Sequence, residues 1–118
     1  MFEATSIREW RGHDVRDPDG DKIGSLEAVY VDTATDQPSF GTVQVGLPGR
    51  RRLVFVPLEG AKVGPSYLQV AFDKKRVKDA PSIGTDGELP ATDEEGVFTH
   101  YGLTYSPGAG GERRLARR

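Results

Sequence analysis

The sequence predicts a mainly β protein, a small antiparallel barrel or sandwich of five or six short strands with one or two short helices near its C-terminal end. Glycine and proline account for 15 and 8 of the 118 residues, and both favour turns over long helices. Short runs of alternating apolar and polar residues recur at close spacing, which is the pattern of half-buried strands. The length suits one domain and is too short for two ordinary ones.

The first hairpin is predicted from its turn chemistry. Within Asp17–Asp21, Pro18 presets φ for a turn and Gly20 tolerates a positive φ. The run that follows, Leu26–Val31, is apolar on both faces. Such a run is typical of a strand that is covered on both sides, as in a small barrel.

Three further strands are predicted along the chain. Phe40–Leu47 alternates between apolar and polar residues, and Leu53–Leu58 is the most apolar short run of the sequence. Tyr67–Phe72 alternates again. Between the first two of these strands, Pro48–Arg52 is predicted to be an exposed loop.

Two short helices are predicted after the strands. Asp73 is placed to cap a single helical turn, which a following Ala-Pro pair ends. Thr92 and Glu95 have the spacing of a capping box, in which the Thr92 hydroxyl accepts a hydrogen bond from the Glu95 amide. The second helix then runs to Tyr101, with Gly102 as its C-terminal cap.

The predicted domain spans residues 1–103, and residues 104–118 are predicted to be a flexible tail rich in glycine and arginine. The tail holds four arginines and one glutamate, a net charge of +3 in a chain whose total is −2. Leu115 is its one large apolar side chain after Tyr105, which is too little to offset the entropy of ordering the segment.

The composition excludes several classes of function. Without cysteine there is no disulfide, thiolate nucleophile, iron–sulfur cluster or cysteine zinc site. Sixteen basic residues against 18 acidic ones lack the overall positive charge of a dedicated nucleic-acid binder. No apolar run approaches the roughly 20 residues that cross a bilayer, and Met1–Trp10 lacks the apolar stretch of a signal peptide. We therefore expect a cytoplasmic protein without a transmembrane segment.

Few side chains are candidates for metal binding. Asp17, Asp19 and Asp21 lie close together, but a glycine comes too early for a calcium loop and alanine stands at its twelfth position. They are interpreted as the polar turn at the end of the first hairpin. His13 and His100 are far apart, and neither has a companion at metal-ligand spacing.

Catalysis has equally weak support. Glu94 and Glu95 are adjacent, so on a helix they point about 100° apart and do not converge on one bond. A hydrolase would require Asp17, Asp19 or His100 to meet in one pocket. The sequence thus predicts no enzyme, with no catalytic, metal or cofactor site.

Positive charge is concentrated in two places. Arg50, Arg51 and Arg52 form a compact cluster in the predicted loop, and the tail adds four arginines. Both are suited to phosphate contacts on RNA or on anionic lipid. No aromatic residues interleave with them as stacking platforms.

The order of several segments resembles that of a known family. A D-x-x-G-x-x-I-G hairpin leads into an apolar strand ending in aspartate, and strands with alternating valines and with F-V-P-L follow. V-K-x-A-P and H-Y-G elements come later. In this chain these segments are Asp17–Gly24, Asp32, Pro38–Val45, Phe55–Leu58, Val77–Pro81 and Thr99–Leu103. Together they resemble the PRC-barrel domain, the β-barrel of the photosynthetic reaction-centre H subunit's cytoplasmic part and of a ribosome-maturation factor's C-terminal half.

The resemblance covers roughly Ile7 to Leu103 and implies a small, nearly closed barrel, often dimeric, that binds other macromolecules without catalytic residues. Our main hypothesis is a non-catalytic cytoplasmic adaptor that binds a protein partner and forms a homodimer. The alternative is an RNA- or ribosome-associated factor that uses the arginine loop and tail. The residues predicted near the partner contact are Trp10, Phe40, Arg50, Arg51, Arg52 and Tyr67.

Overall fold

A computed structural model describes residues 10–84, 89–90, 93–105 and 114–117, with Arg117 described by its backbone alone. Within these ranges, no helix is long and apolar enough to cross a membrane. The elements in chain order are β1 (Asp14–Arg16), β2 (Lys22–Asp32), β3 (Gln37–Val45), β4 (Arg52–Pro57), β5 (Lys62–Val63), β6 (Tyr67–Gln69), α1 (Lys74–Lys78), β7 (Ser82–Ile83), α2 (Glu94–His100) and β8 (Leu115–Arg117).

The strands of the described ranges form one eight-stranded sheet. Seven follow one another in the order β5-β6-β1-β2-β3-β4-β7, and β8 pairs with β2. Neighbours are antiparallel except β1 and β6. The pairing of β2 with β3 contains two register shifts, which bend and twist a sheet locally. The predicted fold class, a mainly antiparallel β-barrel with two short helices, is confirmed.

The core contains both faces of the central strands. In Leu26–Val31 every residue except Glu27 is buried, and every residue of Leu53–Leu58 is buried. The rings of Tyr30 and Phe55 pack edge to face with their centroids 4.9 Å apart. The strands predicted to be covered on both sides are therefore confirmed as such.

Helix α1 begins after Asp73 as predicted, but the Asp73 side chain makes no capping hydrogen bond. Its place is taken by Asp17 in the first hairpin, whose Oδ2 accepts a hydrogen bond from the Lys74 amide at 3.2 Å. The capping carboxylate thus comes from a residue that is remote in sequence, which the local pattern does not reveal.

Helix α2 is shorter than the predicted segment from Thr92 to Tyr101. It begins after Asp93, which makes no side-chain capping bond, and Thr92 lies outside the described residues. The predicted C-terminal cap is confirmed. Gly102 has a φ of +70° and donates to the Thr99 carbonyl at 3.0 Å, while the Leu103 amide donates to the Phe98 carbonyl at 2.9 Å.

Some predicted boundaries differ from those of the structure. Strand β3 ends at Val45 rather than Leu47, because Gly46 turns the backbone with a φ of +102°. The tail predicted to be flexible from residue 104 is ordered at Leu115–Arg117, which pair with Tyr30–Asp32 of β2. That prediction weighed the tail's own apolar side chains and omitted the partners that a strand edge offers to its backbone.

Candidate interaction surfaces

The structure divides the predicted contact residues between core and surface. Trp10 is 6% exposed and Phe40 1% exposed, so both side chains belong to the core rather than to an outer contact face. The Phe40 ring packs against Phe98 at 5.1 Å. Tyr67 is half-buried, and the Arg16 guanidinium lies 4.8 Å from its ring centroid. The Arg50–Arg52 segment is the part of the prediction that lies at the surface.

The turn between β3 and β4, residues 46–51, forms what we call the hairpin tip. The Arg50 amide donates to the Leu47 carbonyl at 2.8 Å, which closes the turn. Gly49 has a φ of +83°, in the region that favours glycine. At Gly46 a Cβ would lie 2.5 Å from the Arg50 carbonyl oxygen, so only glycine fits there. The sequence therefore builds a tight, defined turn rather than a loose loop.

The hairpin tip presents an apolar side chain among positive charges. Leu47 is 73% exposed, and Arg50 and Arg51 beside it are exposed as well. Arg51 and Lys22 line one shallow depression next to the tip. Arg52 differs from its neighbours, because its guanidinium donates to the Lys78 carbonyl at 2.9 Å and fastens β4 to α1. Two of the three predicted arginines are thus available to a partner.

Asp17 organises the first hairpin through both of its carboxylate oxygens. It is 3% exposed, and its Oδ1 accepts hydrogen bonds from the amides of Asp19 at 3.0 Å and Asp21 at 2.9 Å. Its other oxygen caps α1 at Lys74. Asp19 and Asp21 are exposed. Within the described residues, no three histidine or acidic side chains are grouped to hold a metal ion.

The two histidines have separate surroundings. His100 has its Nε2 2.7 Å from the Arg76 carbonyl oxygen, and the Arg76 guanidinium donates to the His100 carbonyl at 3.3 Å. This exchange joins α2 to α1. His13 has a buried Nδ1 with no hydrogen-bond partner in the part of the chain that the structure describes. The His100 ring thus has a hydrogen-bonding role in the fold, whereas His13 has none at its Nδ1. Neither ring contacts a nucleophilic side chain in the contacts that the structure describes.

Glu94 has a structural role that the sequence did not predict. It is 0% exposed, yet its carboxylate is well supplied with donors. Its Oε1 accepts from the Tyr105 hydroxyl at 2.7 Å and from the Arg114 amide at 2.9 Å. Its Oε2 accepts from the amides of Arg114 at 2.9 Å and Leu115 at 2.8 Å. A buried carboxylate is tolerated because charge-assisted hydrogen bonds replace its hydration.

Residues 114–117, which we call the tail strand, are held by more than backbone pairing. The Arg114 Nε donates to Asp32 Oδ2 at 2.8 Å, and the Arg114 carbonyl accepts from the Thr33 amide at 2.8 Å. Leu115 is 0% exposed and belongs to the hydrophobic core. Two features of the sequence could have indicated this contact: Glu94 at the start of a helix with an apolar stripe, and Leu115 between arginines. Both patterns also fit residues that are exposed to solvent.

Two tyrosine hydroxyls have perturbed acidity. Burial raises the pKa of Tyr101, whose hydroxyl donates to the Phe55 carbonyl, and the nearby Arg76 charge offsets part of this rise. The hydrogen bond to Glu94 raises the pKa of Tyr105, because a phenolate there would face the carboxylate. Both hydroxyls therefore stay protonated, as donors that tie α2 and the segment after it to the barrel.

Comparison with known proteins agrees with this architecture. A family model described as the PRC-barrel domain matches residues 2–77. No curated protein matches the chain significantly. The family match includes the strands from β1 to β6 and most of α1, while α2 and the tail strand lie beyond it.

Proposed function

The chain belongs to the PRC-barrel family, and from this premise we propose that it is a non-catalytic adaptor that binds a protein partner through the hairpin tip. Domains of this family are generally protein-interaction modules. The observation that carries the proposal is Leu47, which is 73% exposed in a turn that the hydrogen bond from the Arg50 amide closes. An apolar side chain that enters a pocket on a partner acts as an anchor of an interface, and Leu47 is accessible for such a contact.

The charges around Leu47 indicate the kind of partner. Arg50 and Arg51 are exposed on the same turn, and Lys22 lies beside the depression that Arg51 lines. A complementary surface carries carboxylates around an apolar pocket, since opposite potentials steer association and fix its register. We therefore propose an acidic protein segment with a pocket for Leu47 as the partner.

The non-catalytic part of the proposal is supported by the hydrogen bonds that Asp17, Glu94 and His100 make within the fold. Asp17 receives three backbone amides, and Glu94 receives two amides and a hydroxyl. His100 faces the Arg76 carbonyl. Groups engaged in this way hold the fold together, whereas a general acid or base needs a free position toward a substrate.

Cross-linking in lysate tests the proposal with a matched pair of variants. Leu47→Asp should reduce recovery of the bound protein by at least about tenfold, as expected when a central apolar anchor is lost. Val63→Asp changes the other large apolar side chain that is exposed among the described residues, at 46% exposure, and should leave recovery unchanged. Equal recovery by wild type and Leu47→Asp would overturn the assignment of the tip.

A homodimer in the cytoplasm stays part of the proposal and is tested by sedimentation. Because Trp10 is buried, its replacement would report on folding rather than on a contact. Leu47→Asp is the better probe of self-association. If the partner is a second copy through the tip, this variant should lower the sedimenting mass at micromolar concentration while Val63→Asp does not.

RNA or ribosome binding is the second candidate, favoured by the exposure of Arg50 and Arg51. Arg52 and Arg114 are already engaged with the Lys78 carbonyl and Asp32, which reduces the charge available for phosphates. Binding of this kind should be sensitive to nuclease and fall steeply with salt. Arg50→Gln with Arg51→Gln would then abolish it, whereas Leu47→Ala would have little effect.

A further inference from the structure

One edge of β2 is shared by two strands. This strand is eleven residues long, and β1 pairs only with its first part, at Lys22–Ser25. Its opposite edge is taken by β3, from Ser25 to Asp32. The tail strand pairs with the far end of the first edge, at Tyr30–Asp32. Without it, this stretch would present unpaired backbone groups, which are a template for an added strand.

The surroundings of this edge select a particular sequence. Backbone pairing by itself accepts almost any strand, but here Asp32 accepts the Arg114 guanidinium and a core position encloses Leu115. Glu94 accepts the amides at both of these positions, which fixes the register of the added strand. The geometry therefore matches an arginine followed by a medium-sized apolar residue.

The present occupant is a short segment of the same chain. It makes three residue pairs with β2 and is joined to Tyr105 by residues 106–113, which include three glycines. Tyr105 and Arg114 contact the same Glu94 oxygen, so the two ends of this connection lie close together. A tethered ligand of this type acts at an effective concentration of order millimolar. To displace it, a partner segment must bind more tightly than the tail strand or be present at a higher concentration.

We propose that this edge is a strand-binding site for an extended segment of a partner protein in which arginine precedes a medium-sized apolar residue. The tail strand occupies the site in cis until such a segment displaces it. The carboxylates of Asp32 and Glu94 provide the charge complementarity, and β2 provides the backbone pairing. The site is separate from the hairpin tip, so failure of one leaves the other standing.

Peptide binding to the full chain is the first test. The probe is a fluorescent peptide with the sequence of residues 112–118, ERRLARR. Leu115→Asp places a charge in the core position and should release the tail strand from the site. The probe should therefore bind the Leu115→Asp chain at least about tenfold more tightly than the wild type, in which the tethered strand competes.

Matched peptides and variants decide whether this binding is the proposed kind. A scrambled peptide of the same composition and charge should bind at least tenfold more weakly, and so should peptides with Ala in place of Arg114 or Leu115. Adding Glu94→Gln to the Leu115→Asp chain should weaken binding, whereas adding Leu47→Asp should not. Equal binding of the scrambled peptide, or indifference to Glu94→Gln, would overturn the proposal.

Hydrogen exchange on the unmodified chain gives an independent test. If the tail strand opens on its own, the Leu115 amide should exchange at least tenfold faster than the amide of Val43 in the central strand β3, which pairs with both β2 and β4. Saturating unlabelled peptide should leave the Val43 rate unchanged. A Leu115 amide that exchanges only with the global core would show a permanent strand, and the proposal would fail. In the probe-binding test, unlabelled wild-type chain and unlabelled free peptide can each be added as competitors. If the wild-type chain displaces the probe as well as the free peptide does, the site binds the tail of a second copy, and the proposal of a different partner protein fails.

Discussion

Leu47 and Leu115 lie beside arginines in two stretches of similar composition, yet they have opposite surroundings. Leu47 in the hairpin tip is 73% exposed, and Leu115 in the tail strand is 0% exposed. The first stretch follows a long central strand and would be expected to share its burial. The second follows a glycine-rich segment and would be expected to stay in water.

The difference arises from the backbone rather than from the side chains. At the tip, Gly46 turns the chain away from the sheet, so Leu47 has no facing strand. In the tail strand, the edge of β2 and the carboxylate of Glu94 offer partners to the amides that flank Leu115. Burial of Leu115 requires that its amide be paired, because a buried amide without an acceptor is costly.

Replacement of Glu94 should have the largest effect on this contrast. Glu94→Ala removes the acceptor of two amides and a hydroxyl, and should lower the free energy of unfolding by about 3 kcal/mol. Glu94→Gln keeps one carbonyl acceptor and should cost less. Urea unfolding measures both.

The neighbouring residue provides the control for that measurement. Glu95 is exposed on the same helix, so Glu95→Ala should change the free energy of unfolding by no more than about 0.5 kcal/mol. If Glu94→Ala were as mild as Glu95→Ala, the tail strand would contribute little to the fold, and the contrast with the tip would be one of position alone.

The two leucines themselves provide the next comparison. Leu115→Ala should lower the free energy of unfolding by about 2 to 4 kcal/mol, because it leaves a cavity among buried residues. Leu47→Ala makes the same chemical change in water and should stay within about 0.5 kcal/mol. Thermal unfolding followed by circular dichroism measures the difference, and equal shifts for both variants would contradict the assigned burial.

The sequence was sufficient for features that are encoded locally. The Pro18–Gly20 turn and the Gly102 cap depend on backbone preferences within a few residues, and the structure contains both. The two-sided apolarity of Leu26–Val31 predicted a strand covered on both sides, and the apolar run Leu53–Leu58 predicted a buried strand, because neither segment has a polar face to turn to water.

Features that join distant residues were out of reach. Asp17 caps a helix that begins 57 residues later, and Glu94 binds amides 20 and 21 residues away. A lone acidic residue at a turn or a helix start has the same local pattern whether it is solvated or buried. Trp10 and Phe40 were assigned to a contact face for the corresponding reason, since an aromatic side chain suits a core and an interface equally well.

The smallest expected difference between the hairpin tip and the tail strand is in how the stability of the fold depends on pH. The hydrogen bond to Glu94 raises the pKa of Tyr105 in the folded chain above its ordinary value near 10. Its contribution to stability is therefore fully present below that value and is lost as the pH rises through the raised pKa.

Tyr105→Phe removes this contribution, so the stability difference between wild type and Tyr105→Phe should be constant below about pH 9 and shrink as the pH rises above about 10. Urea midpoints across this range measure it. Tyr101 also has a raised pKa, but it titrates alike in both chains and cancels in the difference. Leu47→Ala, which leaves the tail strand intact, should follow the wild-type curve. A difference for Tyr105→Phe that stays constant with pH would mean that the hydroxyl is uncoupled from Glu94, and the tail strand would then be held by its amides and Arg114 alone.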